Sequence, residues 1–266
     1  MRKIYYLLII ITSLISLTPT INATETSTFE FDFNNSESAG WTSSITDVSE
    51  EYASPQRRET YQFEAGISDV IIEKSDKTKV REKAFKLAVT NRSDDAFPFM
   101  YRQFNLKPNH SYKIQIDANL YSDVCEGDFF GSGGHPDSSI FIQYGALSSR
   151  PQIISDHLGN LVLVQKGLGQ APNRTDFLYV GPVGTGVSCP ENKNRHDFFQ
   201  VVSTERIMQR NTKAPFTQME ITNGATIPKI VTSDQEGNIW IIVGWDSAFE
   251  ARTTTYFDDI KITFIE

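Results

Sequence analysis

The chain has 266 residues, of which 39% are hydrophobic, and a formal net charge of -8 at pH 7. An acidic surface repels phosphate groups, so the composition argues against nucleic acid or an anionic membrane as a partner. The length suits one large β domain, because sandwiches and barrels reach about 200 to 250 residues as single units.

The first 23 residues have the composition of a secretory signal peptide. Arg2 and Lys3 precede an apolar run from Ile4 to Leu17, and Ala23 offers the small residue that signal peptidase needs. The apolar run is shorter than the roughly 20 residues of a membrane-spanning helix. The sequence therefore predicts a secreted or periplasmic protein, with residues 24–266 as one mature domain and no membrane insertion after cleavage.

Alternation of apolar and polar residues with period two dominates the remaining chain, and helical periodicity is nearly absent. A short helical turn is expected only from Thr204 to Gln209. Ten alternating runs separated by Pro, Gly and Asn turns predict an all-β fold, a two-sheet antiparallel β-sandwich of jelly-roll type. These runs are Phe29 to Phe33, Ser68 to Ile72, Phe85 to Thr90, Phe99 to Phe104, Tyr112 to Tyr121, Ile140 to Tyr144, Leu161 to Gln165, Phe198 to Ser203, Ile239 to Trp245 and Tyr256 to Ile265.

Cys125 and Cys189 are the two cysteines of the chain, and each lies in a long, polar, Gly-rich stretch. An exported chain passes through an oxidising compartment in which such a pair can bridge. We therefore predict a disulfide between them, with two unpaired thiols as the alternative.

Three stretches resemble the galactose-binding-like jelly rolls of bacterial carbohydrate-binding modules. Phe33-Asn-Asn-Ser-Glu-Ser-Ala-Gly-Trp41 is similar to their opening segment, and Phe104-Asn-Leu-Lys-Pro-Asn-His-Ser-Tyr112 is similar to a turn that leads into a long strand. Tyr256-Phe-Asp-Asp-Ile-Lys-Ile262 is similar to their closing strand. The resemblance implies a sandwich that binds carbohydrate and carries a structural calcium ion between its first and last strands.

Asp258 is the predicted calcium ligand for a physical reason as well. Uninterrupted alternation places it on the same, core-facing side as Tyr256 and Ile260, and a carboxylate buried there needs a partner. Calcium, which takes six to eight oxygen ligands, would meet that need together with Asp32 and Asn34. The alternative is that Asp258 accepts backbone hydrogen bonds or pairs with an arginine.

Aromatic rings exposed on a sheet face bind sugars by stacking, with polar groups beside them for the hydroxyls. The candidates are Trp240, Trp245, Tyr101 and Tyr144. Alternation within Ile239 to Trp245 places the two tryptophans on opposite faces, so at most one of them meets a ligand from the same sheet face. The alternative for each tryptophan is a place in the core.

The loop after Trp245 supplies three further candidate ligand-binding residues, Asp246, Glu250 and Arg252. These charged groups suit a polar ligand, but they equally suit a salt-bridged rim that only orders the loop.

The sequence contains no Gly-x-Ser-x-Gly, no His-Glu-x-x-His and no phosphate-binding glycine loop. This absence argues against an enzyme, and the resemblance to carbohydrate-binding modules implies a secreted, non-catalytic module that binds glycan or another extracellular polymer. The alternatives are a structural or adhesive protein that docks to another protein, and a small hydrolase or lyase on the same fold.

Overall fold

The computed structural model describes residues 25–35, 40–50, 62–73, 79–91, 96–122, 140–163, 177–182, 207–209, 230–250 and 252–266. Strands joined by tight turns account for most of these residues. In chain order the strands are β1 Thr26–Phe31, β2 Thr42–Thr46, β3 Val48–Ser49, β4 Glu64–Glu73, β5 Lys79–Thr90, β6 Phe97–Asn105, β7 Ser111–Ser122, β8 Ile140–Leu147, β9 Ile153–Ser155, β10 Asn160–Leu163, β11 Phe177–Pro182, β12 Ile207–Gln209, β13 Val231–Thr232, β14 Asn238–Ser247 and β15 Arg252–Ile265.

Two large sheets and one small sheet make up the described part of the molecule. The seven-stranded sheet has the order β1-β15-β5-β4-β12-β7-β13, and the five-stranded sheet has the order β11-β8-β14-β6-β2. The closing strand β15 lies at the centre of the first sheet. It pairs with β7 along one side, while β1 and β5 follow each other along its other side.

The main hydrophobic core lies between the two large sheets. Each sheet contributes apolar side chains at alternate positions, as expected for strands with one buried face. From the seven-stranded sheet these include Phe85, Ile114 and Ile262, and from the five-stranded sheet Ile142 and Ile241. The prediction of an all-β sandwich is confirmed.

A small third sheet, β3-β10-β9, covers part of the outer face of the five-stranded sheet. Phe97 and Phe99 of β6 are fully buried there with Ile242 of β14. Leu163 of β10 and Ile153 of β9 pack on the same cluster. The five-stranded sheet is therefore apolar on both faces over part of its area, because each face has a cover.

β15 contains a β-bulge at its middle. Its register with β7 shifts between Asp258 and Lys261, and Asp259 has a φ of 45°. The extra residue puts Phe257 and Ile260 in the main core together, whereas Tyr256 packs in a separate cluster with Tyr121. The prediction that Tyr256 shares a face with Ile260 is therefore wrong, since a bulge resets the alternation of side chains.

The predicted helical turn from Thr204 to Gln209 is also wrong within the described residues. Ile207–Gln209 forms strand β12, which pairs in parallel with β4 and antiparallel with β7. The open edges of those two strands offer unpaired backbone groups, which a short extended segment satisfies. The predicted strand from Phe198 to Ser203 lies outside the described residues. Within the described ranges, no helix is long and apolar enough to span a membrane.

Two turns share one sequence pattern and one hydrogen-bond pattern. Ser-Asp-x-x-Gly-Asn occurs at 155–160 between β9 and β10 and again at 233–238 between β13 and β14. In both, the aspartate Oδ1 accepts two backbone N–H groups and the glycine has positive φ. A non-glycine side chain is disfavoured in that conformation, which fixes the glycine in each turn.

Candidate functional site

Three carboxylates converge beside the bulge of β15. Asp258 and Asp259 belong to the bulge, and Asp32 follows directly after β1, whose last residue Phe31 pairs with Ile260. One oxygen from each carboxylate lies within 4.8 Å of the others. We call these three residues the acidic cluster. Residues 252–257 of β15, before the bulge, pair with β5, and residues 260–265, after the bulge, pair with β1. The end of β1 therefore lies beside the bulge.

Hydrogen bonds from the following turn hold Asp32 in place. Its Oδ1 accepts the backbone N–H of Asn34 at 2.8 Å, and its Oδ2 accepts Nδ2 of Asn35 at 2.6 Å. Asn34 in turn accepts the backbone N–H of Lys83 through its own Oδ1 at 2.8 Å. The turn is thereby tied to β5, and the carboxylate of Asp32 is fixed in orientation.

Asp258 is the buried member of the cluster, with 1% of its surface exposed. Burial raises the pKa of its carboxyl to about 7, and the negative charges of Asp259 and Glu82 act in the same direction. Backbone N–H groups of Asp259 and Phe33 donate to this carboxyl and oppose the shift. Its Oδ1 nevertheless has no hydrogen-bond partner. A buried carboxylate with an unsatisfied oxygen among like charges is unfavourable unless a cation or a proton joins it.

The surroundings of the cluster add further negative charge. Burial is the largest cause that raises the pKa of the Tyr121 hydroxyl. The negative charges of Glu82, Asp258 and Asp259 raise it further. That hydroxyl lies 3.4 Å from Oε2 of Glu82. The local field therefore favours a cation over an anion at this position.

The structure changes the predicted set of metal ligands in one place. Asp258 and Asp32 come together as predicted, and Asp259 joins them. Asn34 lies in the turn that follows Asp32, where its side-chain oxygen accepts the Lys83 N–H, and its role as a calcium ligand stays a prediction. Alternation alone does not reveal that Asp259 belongs to the cluster, because the extra residue of the bulge is recognised only once Phe257 and Ile260 are both placed in the core.

The second candidate region is a pair of half-buried aromatic rings on the outer face of the five-stranded sheet. Tyr101 of β6 lies opposite Ile242 of β14, and Trp240 lies two residues before Ile242. The ring centroids of Tyr101 and Trp240 are 6.1 Å apart, and the planes are inclined by 50°. The guanidinium of Arg150 lies 6.0 Å from the Trp240 centroid. We call Tyr101 and Trp240 the aromatic platform.

The platform is the partly exposed end of a ladder of rings along β6. Phe97 and Phe99 stack at 5.1 Å, and Phe99 lies 5.9 Å from Tyr101. The first two rings are buried beneath the small sheet, and Tyr101 and Trp240 pack at the border of that cluster. The buried rings fix the position of the partly exposed ones, which suits a preformed binding surface.

Trp245 and Tyr144 are not surface rings. Their exposed fractions are 0% and 5%, and both belong to the main core. Their prediction as ligand-binding residues is therefore wrong, because β8 and β14 direct these positions between the two large sheets. The prediction that Trp240 and Trp245 face opposite ways is confirmed.

The three charged loop candidates contact different parts of the molecule. Asp246 accepts Nε2 of Gln143 at 2.9 Å, and Arg252 contacts Glu64 of β4 at 2.5 Å. Glu250 is half-buried. The ion pair of Arg252 joins the start of β15 to β4, so it orders the sheet rather than a separate binding loop.

Cys125, Cys189 and residues 1–23 lie outside the described residues, so the disulfide and the signal peptide stay predictions. No protein-family model matches the chain, and no curated protein matches it. Fold and geometry define the class of protein. It is an all-β sandwich with a cluster of three carboxylates beside the bulge of β15 and an aromatic platform on one outer face.

Proposed function

We propose that the chain is a secreted, non-catalytic β-sandwich module that binds a glycan or another extracellular polymer on its aromatic platform. The observation that carries this proposal is the pairing of two partly exposed rings, Tyr101 and Trp240, on neighbouring strands. Ring faces of this kind stack on the apolar faces of sugar rings, and polar groups beside them bind the hydroxyls.

The rigidity of the platform supports the same function. Ordering side chains on binding lowers affinity, and rings already packed on a buried ladder avoid much of that loss. Phe99 lies against Tyr101, and Ile153 packs in the cluster that borders Trp240. The platform therefore needs little rearrangement to meet a ligand.

A structural calcium ion at the acidic cluster is the second part of the proposal. The unpartnered Oδ1 of Asp258 and the two neighbouring carboxylates fit the all-oxygen ligands that calcium prefers. Bound there, the ion would supply positive charge between the end of β1 and the bulge of β15. It would stabilise the folded chain without taking part in ligand chemistry.

A protein partner is the second candidate function, and two exposed apolar side chains favour it. Leu158 in the β9–β10 turn is 73% exposed, and Ile154 on β9 is 47% exposed. β9 is an edge strand of the small sheet, and edge strands can pair with strands of other chains. Under this alternative, Leu158 and not Trp240 would be essential for binding.

A glycan array probed with residues 24–266, in calcium and in chelator, tests the two candidates. The variants are Trp240→Ala and the matched control Leu158→Ala, which also removes a large apolar side chain from the surface. The proposal expects binding of at least one glycan by the parent chain and by Leu158→Ala, and loss of binding in Trp240→Ala. Equal binding by all three, or none by the parent in either condition, contradicts it.

A further inference from the structure

A row of side-chain amides continues the aromatic platform along the same face. Gln103 and Asn105 follow Tyr101 at alternate positions of β6, so all three side chains lie on one side of the sheet. In the antiparallel register Gln103 lies opposite Trp240, and Asn105 lies opposite Asn238. Gln103 and Asn105 are exposed, and Asn238 is half-buried.

Hydrogen bonds give these amides a defined orientation. Nε2 of Gln103 donates to Oδ1 of Asn238 at 2.5 Å, and Nδ2 of Asn105 donates to the backbone oxygen of Glu236 at 2.9 Å. Asn238 is itself fixed, because its Nδ2 donates to Oδ2 of Asp234 at 2.9 Å. These contacts use one N–H of Gln103 and leave the carbonyl oxygen of each exposed amide without a hydrogen bond from the described residues.

From this geometry we infer that Gln103 and Asn105 form a subsite for neutral, hydroxyl-rich oligosaccharides, beside the aromatic platform. The inference rests on the proposed function and specifies its ligand class. Amide groups both accept hydrogen bonds from hydroxyls and donate to them, and they carry no charge that would favour a carboxylate or sulfate group. The neighbouring turn carries the carboxylates of Asp234 and Glu236, and the whole chain has a net charge of -8, which acts in the same direction.

The size of the combined surface indicates more than one sugar ring. Tyr101 and Asn105 are four residues apart on β6, and a rise of about 3.3 Å per residue separates them by roughly 13 Å. A ligand that stacks on Tyr101 and also reaches Asn105 must therefore be elongated. A single monosaccharide can contact Trp240 and Gln103, which lie opposite each other, but cannot span from Tyr101 to Asn105.

The amide row also ties β6 to the 233–238 turn, so its variants can lower the stability of the fold. The experiment therefore compares the affinities for neutral and anionic ligands, a ratio that a loss of stability alone does not change. The experiment measures affinity by calorimetry for neutral oligosaccharides of glucose, xylose and mannose, and for oligogalacturonate as the anionic probe. The variants are Gln103→Ala, Gln103→Glu and Trp240→Ala. The matched control is Gln115→Ala, a half-buried amide on β7 of the other large sheet.

We expect a neutral oligosaccharide to bind the parent chain more tightly than oligogalacturonate does. Gln103→Ala should weaken that binding by about tenfold, the effect of one hydrogen bond to a neutral group, in protein that is still folded at the temperature of the titration. Gln103→Glu should weaken oligogalacturonate binding further. Gln115→Ala should bind as the parent does.

Two results separate a failure of this inference from a failure of the proposed function. If Trp240→Ala loses neutral ligand while Gln103→Ala binds as the parent does, the amide subsite is refuted and the platform stands. Tighter binding of oligogalacturonate than of every neutral probe also refutes the subsite. If the parent binds none of the probes, the glycan function and the subsite are both refuted.

Discussion

Asp258 and Asp259 are adjacent in the bulge of β15, yet Asp258 is buried and Asp259 is exposed. In a regular strand, two neighbouring side chains point to opposite faces of the sheet and their carboxylates lie apart. In the bulge, Asp259 has a positive φ, and both carboxylates lie in one cluster with Asp32. The bulge thus converts a strand position into a site, as bulges often do by redirecting a side chain.

Calcium should raise the thermal stability of the folded chain. At a free concentration of about 100 times Kd, binding adds about 2.7 kcal/mol to the free energy of unfolding. For a domain of this size that corresponds to a rise in Tm of roughly 5 to 10 °C. Differential scanning calorimetry in calcium and in chelator measures the difference.

The ligands should be identifiable by the same calorimetry. Asp32→Ala and Asp258→Ala should lose the calcium-dependent rise in Tm. Asp69→Ala should keep it, because Asp69 is an exposed carboxylate whose described partner is Arg81 on the neighbouring strand. A rise of equal size in Asp258→Ala would show that calcium binds elsewhere.

In chelator, Asp258 should make stability depend on pH. Burial raises the pKa of its carboxyl to about 7, compared with about 3.9 in an unfolded chain. The folded state therefore holds the proton more tightly. The contribution of Asp258 is complete below the unfolded value and is lost as the pH rises through the folded value. Denaturation at about pH 6 and about pH 8 should give the higher stability at the lower pH, relative to Asp258→Asn, which cannot titrate.

The two tryptophans of β14 should respond differently to truncation. Trp245→Ala opens a cavity in the main core and should lower the free energy of unfolding by about 3 to 5 kcal/mol. Trp240→Ala removes a half-buried ring and should lower the free energy of unfolding by about 1 kcal/mol. Chemical denaturation of both variants checks this order, and similar losses in the two would contradict the placement of Trp245 between the sheets.

The two Ser-Asp-x-x-Gly-Asn turns should make the stability of the protein sensitive to acid. Backbone N–H groups of Asn160 and of Asn238 are the largest cause that lowers the pKa of Asp156 and of Asp234, respectively. A lowered pKa means that the stability from each carboxylate is present above its unfolded pKa and is lost as the pH falls through the folded value. Asp156→Ala and Asp234→Ala should lower Tm near neutral pH, and the differences from the parent should shrink in acid. A constant difference across the range would contradict this role.

Alternation of residues was sufficient to predict the all-β class, the main strands and the opposite orientation of Trp240 and Trp245. It could not predict which face of the five-stranded sheet is covered, because that depends on packing between strands distant in sequence. Tyr144 and Trp245 were therefore kept as ligand-binding candidates although they lie in the core. The position of Asp259 depends on a backbone bulge, and the strand at Ile207–Gln209 depends on the open edges of β4 and β7. Neither is a local property of the sequence.

The proposed ligand-binding surface consists of Tyr101 and Trp240, and titrating the tightest-binding array glycan into single-ring variants shows whether both rings bind it. Calorimetry of Tyr101→Ala and Trp240→Ala, with Leu158→Ala as the control, gives the three affinities under one condition. We expect at least a tenfold loss of affinity in each ring variant, an unchanged affinity in the control and folded protein throughout. Parent-like affinity in Trp240→Ala would refute the aromatic platform as the binding surface.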